Sequence, residues 1–245
     1  MKLFDRLGKL RDRRRPYCTM IVPAAGESRR MGGGNKLLLP LGEGTVLEHT
    51  LRAVDASERT DEIILVTREN LLVPLAELYK GCALQKPVKV IRGGETRTES
   101  VMAGALEADP RAELIAVHDG ARPLITPELF DAVVESAGVT GASAPAVPVT
   151  DTIKVADENG IVRSTPERRT LFAVQTPQVF QAELLKAALQ SALTCGAEIT
   201  DDCSAVERLG KQVQLVSGDS ENIKITRPMD LPMAEAILRA REGRA

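Results

Sequence analysis

A glycine-rich, positively charged segment follows the first aliphatic run of the chain. Residues 23–36 read PAAGESRRMGGGNK, with four glycines and the three cations Arg29, Arg30 and Lys36. Small residues let a backbone approach a phosphate chain closely, and its N–H groups and nearby cations bind anionic oxygens. The spacing differs from the GxxxxGK[ST] loop of nucleotide hydrolases and from the GxGxxG turn of dinucleotide-dependent dehydrogenases. The segment therefore predicts either a phosphate-binding loop of another kind or a basic turn that binds nothing.

A carboxylate stands at the end of another aliphatic run. Asp119 follows LIAVH, and burying an unpaired charge at the end of an apolar strand is costly. Open parallel sheets bind ligands at the carboxyl ends of their strands. We therefore expect Asp119 to lie at a ligand site instead of in the core.

An alternation of strands and helices must position these side chains. Apolar runs of strand length alternate with longer segments of helical period, which is typical of parallel βα units. Near-continuous aliphatic runs such as IILV and LIAV suit a parallel sheet covered on both faces. The sequence thus predicts an α/β fold with a doubly wound, mostly parallel sheet. The predicted strands cover 19–23, 62–67, 88–91, 114–117 and 144–149, and the predicted helices cover 46–56, 71–78, 97–108, 127–137, 181–193 and 231–241, with Thr45, Thr96 and Thr126 as N-caps.

A polar segment interrupts this alternation. Residues 151–169 contain the pair Asn159-Gly160, which favours a hairpin turn and predicts an arm outside the sheet. The chain shows no repeat, low-complexity tract or interdomain linker. We therefore expect a basic tail over 1–17, followed by a single domain over 18–245 whose protruding β-arm covers about 151–170.

The composition argues against several classes of protein. Only 2% of the residues are aromatic, so a base-stacking platform for nucleic acid has almost no support. Four cysteines without a CxxC pair, together with two histidines, argue against a zinc site or a disulfide framework and favour a reducing, cytoplasmic setting. No apolar run is long enough to span a membrane. We therefore expect a cytoplasmic protein with no nucleic-acid partner and no membrane association.

The net charge of −2 conceals an uneven distribution. Residues 1–15 hold seven Lys or Arg and two Asp, a net charge of +5, whereas the other 25 basic and 32 acidic side chains leave the rest at −7. We interpret the basic tail as a solvated segment. A short amphipathic helix on an anionic membrane surface is the alternative.

Seven segments of the chain resemble a known family in content and order. They are PAAGESRRM…NK, GGETRTESV, VHDGARP, PVTDTIK, AVQTPQ, TDDCSAVE and NIKITRPMDL. Over residues 19–241 their order is that of the 2-C-methyl-D-erythritol 4-phosphate cytidylyltransferases, the third enzymes of the non-mevalonate isoprenoid pathway. The chain departs from the family pattern at Ser28, Asn35, Phe172 and Cys203. None of these departures removes a charged group, so they bear on loop geometry more than on activity.

The resemblance implies a Rossmann-like nucleotidyltransferase sandwich that transfers a cytidylyl group from CTP to 2-C-methyl-D-erythritol 4-phosphate and releases pyrophosphate. In that reaction a phosphate dianion attacks an anionic triphosphate, so the site needs cations more than it needs a base. Accordingly, we interpret His118 and His49 as structural. The resemblance also implies Mg2+ or another divalent cation, held mainly by phosphate oxygens and water, with Asp119 as a possible protein ligand.

The resemblance assigns site residues by their positions. In a homodimer formed through the arm, Thr152 and Arg168 would reach the site of the neighbouring subunit. Arg29 and Arg169 are interpreted as solvated neighbours of the functional arginines. The implied catalytic residues are Arg30, Lys36, Arg168 and Lys224; the nucleotide-binding residues are Pro23, Ala24, Ala25, Gly26, Gly94, Glu95, Ser100, Gly120 and Arg122; the acceptor-binding residues are Asp119, Thr152, Arg168, Thr176, Thr200 and Lys224.

Two other functions stay open on the sequence. Ribitol-5-phosphate cytidylyltransferases share the fold and the loop, but VHDGARP, PVTDTIK and TDDCSAVE favour the isoprenoid enzymes. A non-catalytic nucleotide-binding module would tolerate the loss of Lys36 or Arg168, yet every expected cation is present. Because the last motif lies close to residue 245, we expect no fused downstream enzyme.

Overall fold

A mixed eight-stranded sheet forms the centre of the computed structural model, which describes residues 15–26 and 35–243. Two short hairpins lie outside this sheet. The strands are β1 (Tyr17–Pro23), β2 (Pro40–Leu41), β3 (Gly44–Thr45), β4 (Glu62–Thr67), β5 (Val88–Arg92), β6 (Ala112–Val117), β7 (Ala142–Pro148), β8 (Val155–Ala156), β9 (Val162–Ser164), β10 (Phe172–Val174), β11 (Gln178–Gln181) and β12 (Gln214–Ser217).

The sheet is parallel along most of its width. Strands β6, β1, β4 and β5 are neighbours and run in one direction. Strand β11 lies between β6 and β7 and is antiparallel to both, and β10 is also antiparallel to β7. Because β12 pairs parallel to β7, only β10 and β11 of the eight strands run against the others. The predicted doubly wound, mostly parallel α/β architecture is confirmed.

Helices cover both faces of this sheet. Short 3-10 helices occupy Lys36–Leu38, Glu69–Leu71 and Arg168–Thr170. The α-helices are α1 (Val46–Asp55), α2 (Leu72–Gly81), α3 (Arg97–Glu107), α4 (Pro127–Thr140), α5 (Ala182–Thr194), α6 (Asp202–Arg208) and α7 (Asp230–Glu242).

The core divides into two apolar clusters because successive side chains of a strand point to opposite faces. In β1, Met20 and Val22 join the cluster that packs against α1, α2, α4 and α7. Ile21 joins the other cluster, against α3, α5 and α6. All three side chains are completely buried, and β4 shows the same alternation. Two covered faces explain why aliphatic residues stand next to one another in the middle of these strands, as in MIV of β1 and IILV of β4.

Side chains at their first turns determine where several helices begin. Thr45, Thr96 and Thr126 each accept a backbone N–H of the following turn, as the sequence predicts. Helices α1 and α3 carry full capping boxes, with Glu48 and Glu99 as the reciprocal partners.

The arm is a two-stranded hairpin of β8 and β9, confirming the predicted turn around Asn159-Gly160. Only Gly160 of that pair adopts a left-handed conformation, with φ of +78°. The connection between Ala156 and Val162 is longer than the two-residue turn typical of Asn-Gly. Within it, the Asp157 carboxylate accepts the N–H groups of Asn159 and Ile161.

The amino-terminal boundary differs slightly from the prediction. Strand β1 begins at Tyr17, and the Arg15 guanidinium already pairs with Asp61 at 2.7 Å. The folded body therefore includes residues 15–17, which the sequence assigned to the tail. Among the helices that the structure describes, we find none long and apolar enough to cross a bilayer.

Candidate active site

A cavity of about 540 Å³ opens where β1, β4, β5 and β6 end. This is the edge at which open parallel sheets bind ligands. Four cations and two carboxylates line it, so the local charge is positive although the chain is acidic. The lining residues are Pro23, Ala25, Gly26, Lys36, Leu37, Arg68, Gly94, Glu95, Thr96, Arg97, Ser100, Asp119, Gly120, Ala121, Lys224 and Thr226.

Lys36 is held at the cavity by two segments distant in sequence. Asn35 caps the short helix Lys36–Leu38, and its side-chain oxygen accepts the N–H of Leu37 at 3.1 Å. The Lys36 ammonium donates to the carbonyl of Ile225 at 2.8 Å. Ile225 in turn donates its N–H to the carbonyl of Ala121. Asn35, a departure from the family pattern, thus serves to orient Lys36.

Asp119 and Lys224 form the charged centre of the cavity wall. Lys224 Nζ lies 2.7 Å from Asp119 Oδ2. Burial raises the pKa of the Asp119 carboxyl, but Lys224, Arg97 and Arg122 lower it more, to about 2. Asp119 is therefore an ionised carboxylate at every pH at which the fold is expected to function.

A buried hydrogen-bond relay fixes the backbone at Asp119 from below. Its N–H donates to the Thr176 hydroxyl at 3.1 Å, and that hydroxyl lies 3.0 Å from Nδ1 of His118. The carbonyl of Arg122 can only accept, so Nε2 of His118 carries the proton of the neutral ring, and Nδ1 accepts from the Thr176 hydroxyl. Burial lowers the pKa of His118 to about 4, so the ring is neutral. The structural interpretation of His118 agrees with these contacts.

Two residues expected to bind substrate are already engaged inside the protein. Thr176 is 5% exposed, and both roles of its hydroxyl are used by Asp119 and His118. The Arg122 side chain is 12% exposed and donates to the carbonyl of Asn222 at 2.7 Å. Neither of them lines the cavity. Their contacts support the cavity wall from behind.

The segment between β5 and α3 brings backbone groups to the cavity. A Cβ atom on Gly94 would overlap the Glu99 side chain, so glycine is needed there for close approach. Ser100 lies beneath the surface, only 2% exposed, and its hydroxyl donates to the carbonyl of Thr96 at 2.9 Å. Main-chain groups of this segment are therefore better placed to meet a ligand than the Ser100 hydroxyl.

Two of the cations that line the cavity, Arg68 and Arg97, are not among the predicted site residues. Arg68 directly follows β4, a strand-end position that alone could have indicated it. Arg97 stands inside the GGETRTESV segment and pairs with Asp202 of TDDCSAVE. Nothing in the spacing of these two segments predicted that pair.

Four further predicted site residues in the described part of the chain do not line the cavity. Ala24 is buried, with its N–H bonded to the carbonyl of Val66. Thr152 and Arg168 lie exposed in and beside the arm, and Thr200 lies ahead of α6. Arg30, Arg29 and Ser28 fall outside the described residues.

The number of carboxylates in the cavity limits how the protein could bind the expected Mg2+. Within residues 15–26 and 35–243, no three His, Cys, Asp or Glu side chains gather in a way that could hold a metal. Asp119 and Glu95 are the acidic residues of the lining. So few carboxylates fit Mg2+ that keeps phosphate oxygens and water as most of its ligands.

Comparison with known proteins gives one consistent result. Residues 18–240 match the family model described as 2-C-methyl-D-erythritol 4-phosphate cytidylyltransferase. The enzyme of that name from Trichormus variabilis is 42% identical over 91% of this chain and 99% of its own length. That from Caldanaerobacter subterraneus subsp. tengcongensis is 44% identical over 89% of this chain and 97% of its own.

Solved structures agree with the sequence comparison. The crystal structure of 4-diphosphocytidyl-2C-methyl-D-erythritol synthase from Anaerococcus prevotii has a TM-score of 0.82 at 31% identity, covering 91% of this chain and 96% of that one. The cytidylyltransferase from Thermus thermophilus has a TM-score of 0.73 at 32% identity, covering 91% and 99%. With fold, motifs and relatives in agreement, the chain belongs to the nucleotidyltransferase family of 2-C-methyl-D-erythritol 4-phosphate cytidylyltransferases.

Proposed function

We propose that this protein transfers a cytidylyl group from CTP to 2-C-methyl-D-erythritol 4-phosphate in the non-mevalonate isoprenoid pathway. A phosphate oxygen of the acceptor forms a new bond to the α-phosphorus of CTP. The bond between the α-phosphorus and the bridging oxygen of the β-phosphate breaks, and pyrophosphate leaves with that electron pair. The observation that carries the proposal is the cavity at the strand ends, which Lys36, Lys224 and Asp119 line and in which Lys224 pairs with Asp119.

The cations of the cavity suit this chemistry. Lys36 and Lys224 would lower the repulsion between the acceptor phosphate and the triphosphate, and Arg30 would do so from the glycine-rich loop. The attacking phosphate is already ionised, so no general base is required. Asp119 holds Lys224 in position through their 2.7 Å contact and faces the acceptor side.

Backbone groups beside Gly94 and Glu95 would read the cytosine and ribose. The α3 amino terminus lies at this part of the cavity, where N–H groups and the helix dipole favour electronegative atoms. A pocket of this kind needs no aromatic side chain, which is consistent with the 2% aromatic content. Arg68 adds a further cation on this side.

We propose Mg2+ as the cofactor. Asp119 would be the protein group nearest to it, while the triphosphate and water supply the remaining oxygen ligands. When bound, the ion screens the negative charge of the triphosphate oxygens.

The arm supports a homodimer in which each subunit completes the site of the other. Its apolar side chains Ile153, Val155, Ile161 and Val162 are between 40% and 59% exposed, and apolar side chains exposed together mark interaction surfaces. The Arg168 guanidinium donates to the carbonyl of Thr150 at 2.9 Å and stays exposed beside the arm. In the dimer, Thr152 and Arg168 would bind the acceptor phosphate of the partner site.

We also place the protein in the cytoplasm. All four cysteines lie in the described part of the chain, and none forms a disulfide. Its substrates are soluble phosphates.

Pyrophosphate release tests the proposed reaction. The purified chain is incubated with CTP and Mg2+, with methylerythritol 4-phosphate and ribitol 5-phosphate offered in parallel. Release with the first acceptor is expected. Preference for ribitol 5-phosphate would indicate the related ribitol enzyme, and binding of CTP without release from either acceptor would indicate a non-catalytic module. Chelation of divalent cations should abolish release, and added Mg2+ should restore it.

A further inference from the structure

An ion pair links two segments of the site that lie 105 residues apart in the chain. Arg97 is the first residue of α3 and lines the cavity, and Asp202 is the first residue of α6 and is completely buried. Arg97 Nη1 donates to Oδ1 at 2.9 Å and Nη2 donates to Oδ2 at 2.7 Å. Two parallel bonds determine the relative direction of the two helix starts as well as their distance.

The Asp202 end of this pair is fastened to the acceptor side of the site. The Gln178 side-chain oxygen accepts the N–H groups of Asp202 and Cys203 at 3.0 and 3.1 Å. Its amide nitrogen donates to Asp201 at 2.7 Å. Gln178 stands two residues after Thr176, which bonds the backbone of Asp119. One short path therefore joins Arg97 to the carboxylate at the centre of the cavity.

The Arg97 end is fastened to the nucleotide side. Arg97 directly follows Thr96, whose capping box with Glu99 holds the first turn of α3. The same turn carries Ser100, and Gly94 and Glu95 precede it on the cavity wall. A change in the direction of Arg97 would move these groups with it.

Asp202 depends on Arg97 for its charge. Burial raises the pKa of the Asp202 carboxyl, and the Arg97 guanidinium opposes that rise. A buried carboxylate without its partner must take up a proton or move toward water. Either response would displace the start of α6, which follows Thr200.

We propose that Arg97 and Asp202 are positioning residues that couple the nucleotide-binding segment to the acceptor-binding segment. Asp202 has no exposed surface and cannot touch a substrate, so any effect it has on substrate binding passes through Arg97 or through α6. The inference rests on the proposed cytidylyl transfer. It adds that each segment adopts its binding conformation only while the other is in place.

A double-mutant cycle with a matched control tests the pair. The variants are Arg97→Met, Asp202→Asn and the double substitution, and KM for CTP and KM for methylerythritol 4-phosphate are measured for each. The control is Arg111→Met, which breaks another two-bond pair, with Asp109, at the opposite end of the sheet. Hydrogen exchange of residues 199–206 is measured without ligands.

The expected result is a crossed effect. Arg97→Met raises KM for the acceptor and Asp202→Asn raises KM for CTP, each about tenfold, while the double variant is no worse than the worse single variant. Residues 199–206 exchange faster in Arg97→Met than in Arg111→Met, and the control leaves both KM values unchanged. If Arg97→Met does not fold, Arg97→Lys replaces it, because lysine keeps the positive charge but cannot make the two parallel hydrogen bonds of the guanidinium.

Three outcomes would overturn the inference. They are an unchanged KM for CTP in Asp202→Asn, additive effects in the double variant, and unchanged exchange over 199–206 in the Arg97 variant. A wild-type protein that releases no pyrophosphate contradicts the proposed function instead. In that case the exchange comparison still decides whether the pair positions α6.

Discussion

Lys224 and Asp119 form an ion pair in the cavity wall, with 2.7 Å between ammonium and carboxylate, although they are 105 positions apart in the sequence. Asp119 follows β6, and Lys224 lies in the loop before α7. The Asp119 side chain is 14% exposed and that of Lys224 is 41% exposed. The carboxylate is therefore shielded from solvent, whereas the ammonium is open to the cavity. The carboxylate thus anchors a cation that lines the cavity.

The Asp119 carboxylate should stabilise the fold at neutral pH and cease to do so in acid. Its folded pKa of about 2 lies below the unfolded value, so its contribution is present above pH ~4 and lost as the pH falls toward 2. The shift corresponds to about 2 kcal/mol. Urea unfolding of the wild type and of Asp119→Asn at several pH values measures this. Parallel pH curves for the two proteins would contradict the assignment.

Removing the Lys36 ammonium should slow the chemical step strongly. Lys36→Ala is expected to lower kcat about 100-fold, the size of effect seen when one preorganised charge or donor is lost. Lys80→Ala, in the last turn of α2 and exposed, is the control and should retain full turnover. Steady-state pyrophosphate release compares the two variants. Equal turnover would remove Lys36 from the mechanism.

His118 should stay neutral well below pH 6 and make stability depend on pH there. The unfolded ring binds a proton near pH ~6.5, whereas burial holds the folded pKa at about 4. Stability is therefore fully present above the unfolded value and falls as the pH drops from 6.5 toward 4, by about 3 kcal/mol. In His118→Asn this slope should disappear from chemical unfolding curves. An NMR titration in which the His118 ring protonates near pH 6.5 would refute the prediction.

The arm should allow one defective chain to complement another. Arg168→Ala and Lys36→Ala chains are each expected to be nearly inactive alone. In a mixture refolded together, half of the dimers contain both chains, and one of their two sites is intact, so about a quarter of wild-type activity should return. Mixing two batches of Lys36→Ala is the control. A mixture without activity would mean that Arg168 serves its own subunit or that no dimer forms.

Much of the architecture is readable from the chain because it rests on local patterns. The aliphatic runs of β1, β4 and β6 predict buried strands, since only a covered parallel sheet removes every position of such a run from water. The threonine caps are equally local, because the hydroxyl and the N–H it accepts lie within one turn. The edge of the sheet at which the cavity opens follows from these strands, because it is where they end.

The pairing of distant segments could not be read in the same way. The apolar run LFAVQTPQVF after the arm forms two strands, β10 and β11. The place of β11 between β6 and β7 and its antiparallel direction depend on which edges meet during folding. No sequence pattern predicts the ion pair between Arg97 and Asp202, because it depends on the distance between them in the folded chain. The contacts of the Thr176 hydroxyl with Asp119 and His118 are likewise contacts between distant segments, which no local pattern predicts.

The sequence by itself thus determined the fold class, the starts of the three threonine-capped helices and most of the residues that line the cavity. Helix caps and aliphatic runs depend on contacts within one turn or one strand, so they can be recognised without knowledge of the rest of the fold. Only the tertiary structure decided which cations face the cavity, which polar groups support it from behind, and that Asp119 is held by Lys224. Those outcomes depend on burial and on distances of about 3 Å between residues far apart in the chain, which only packing can set.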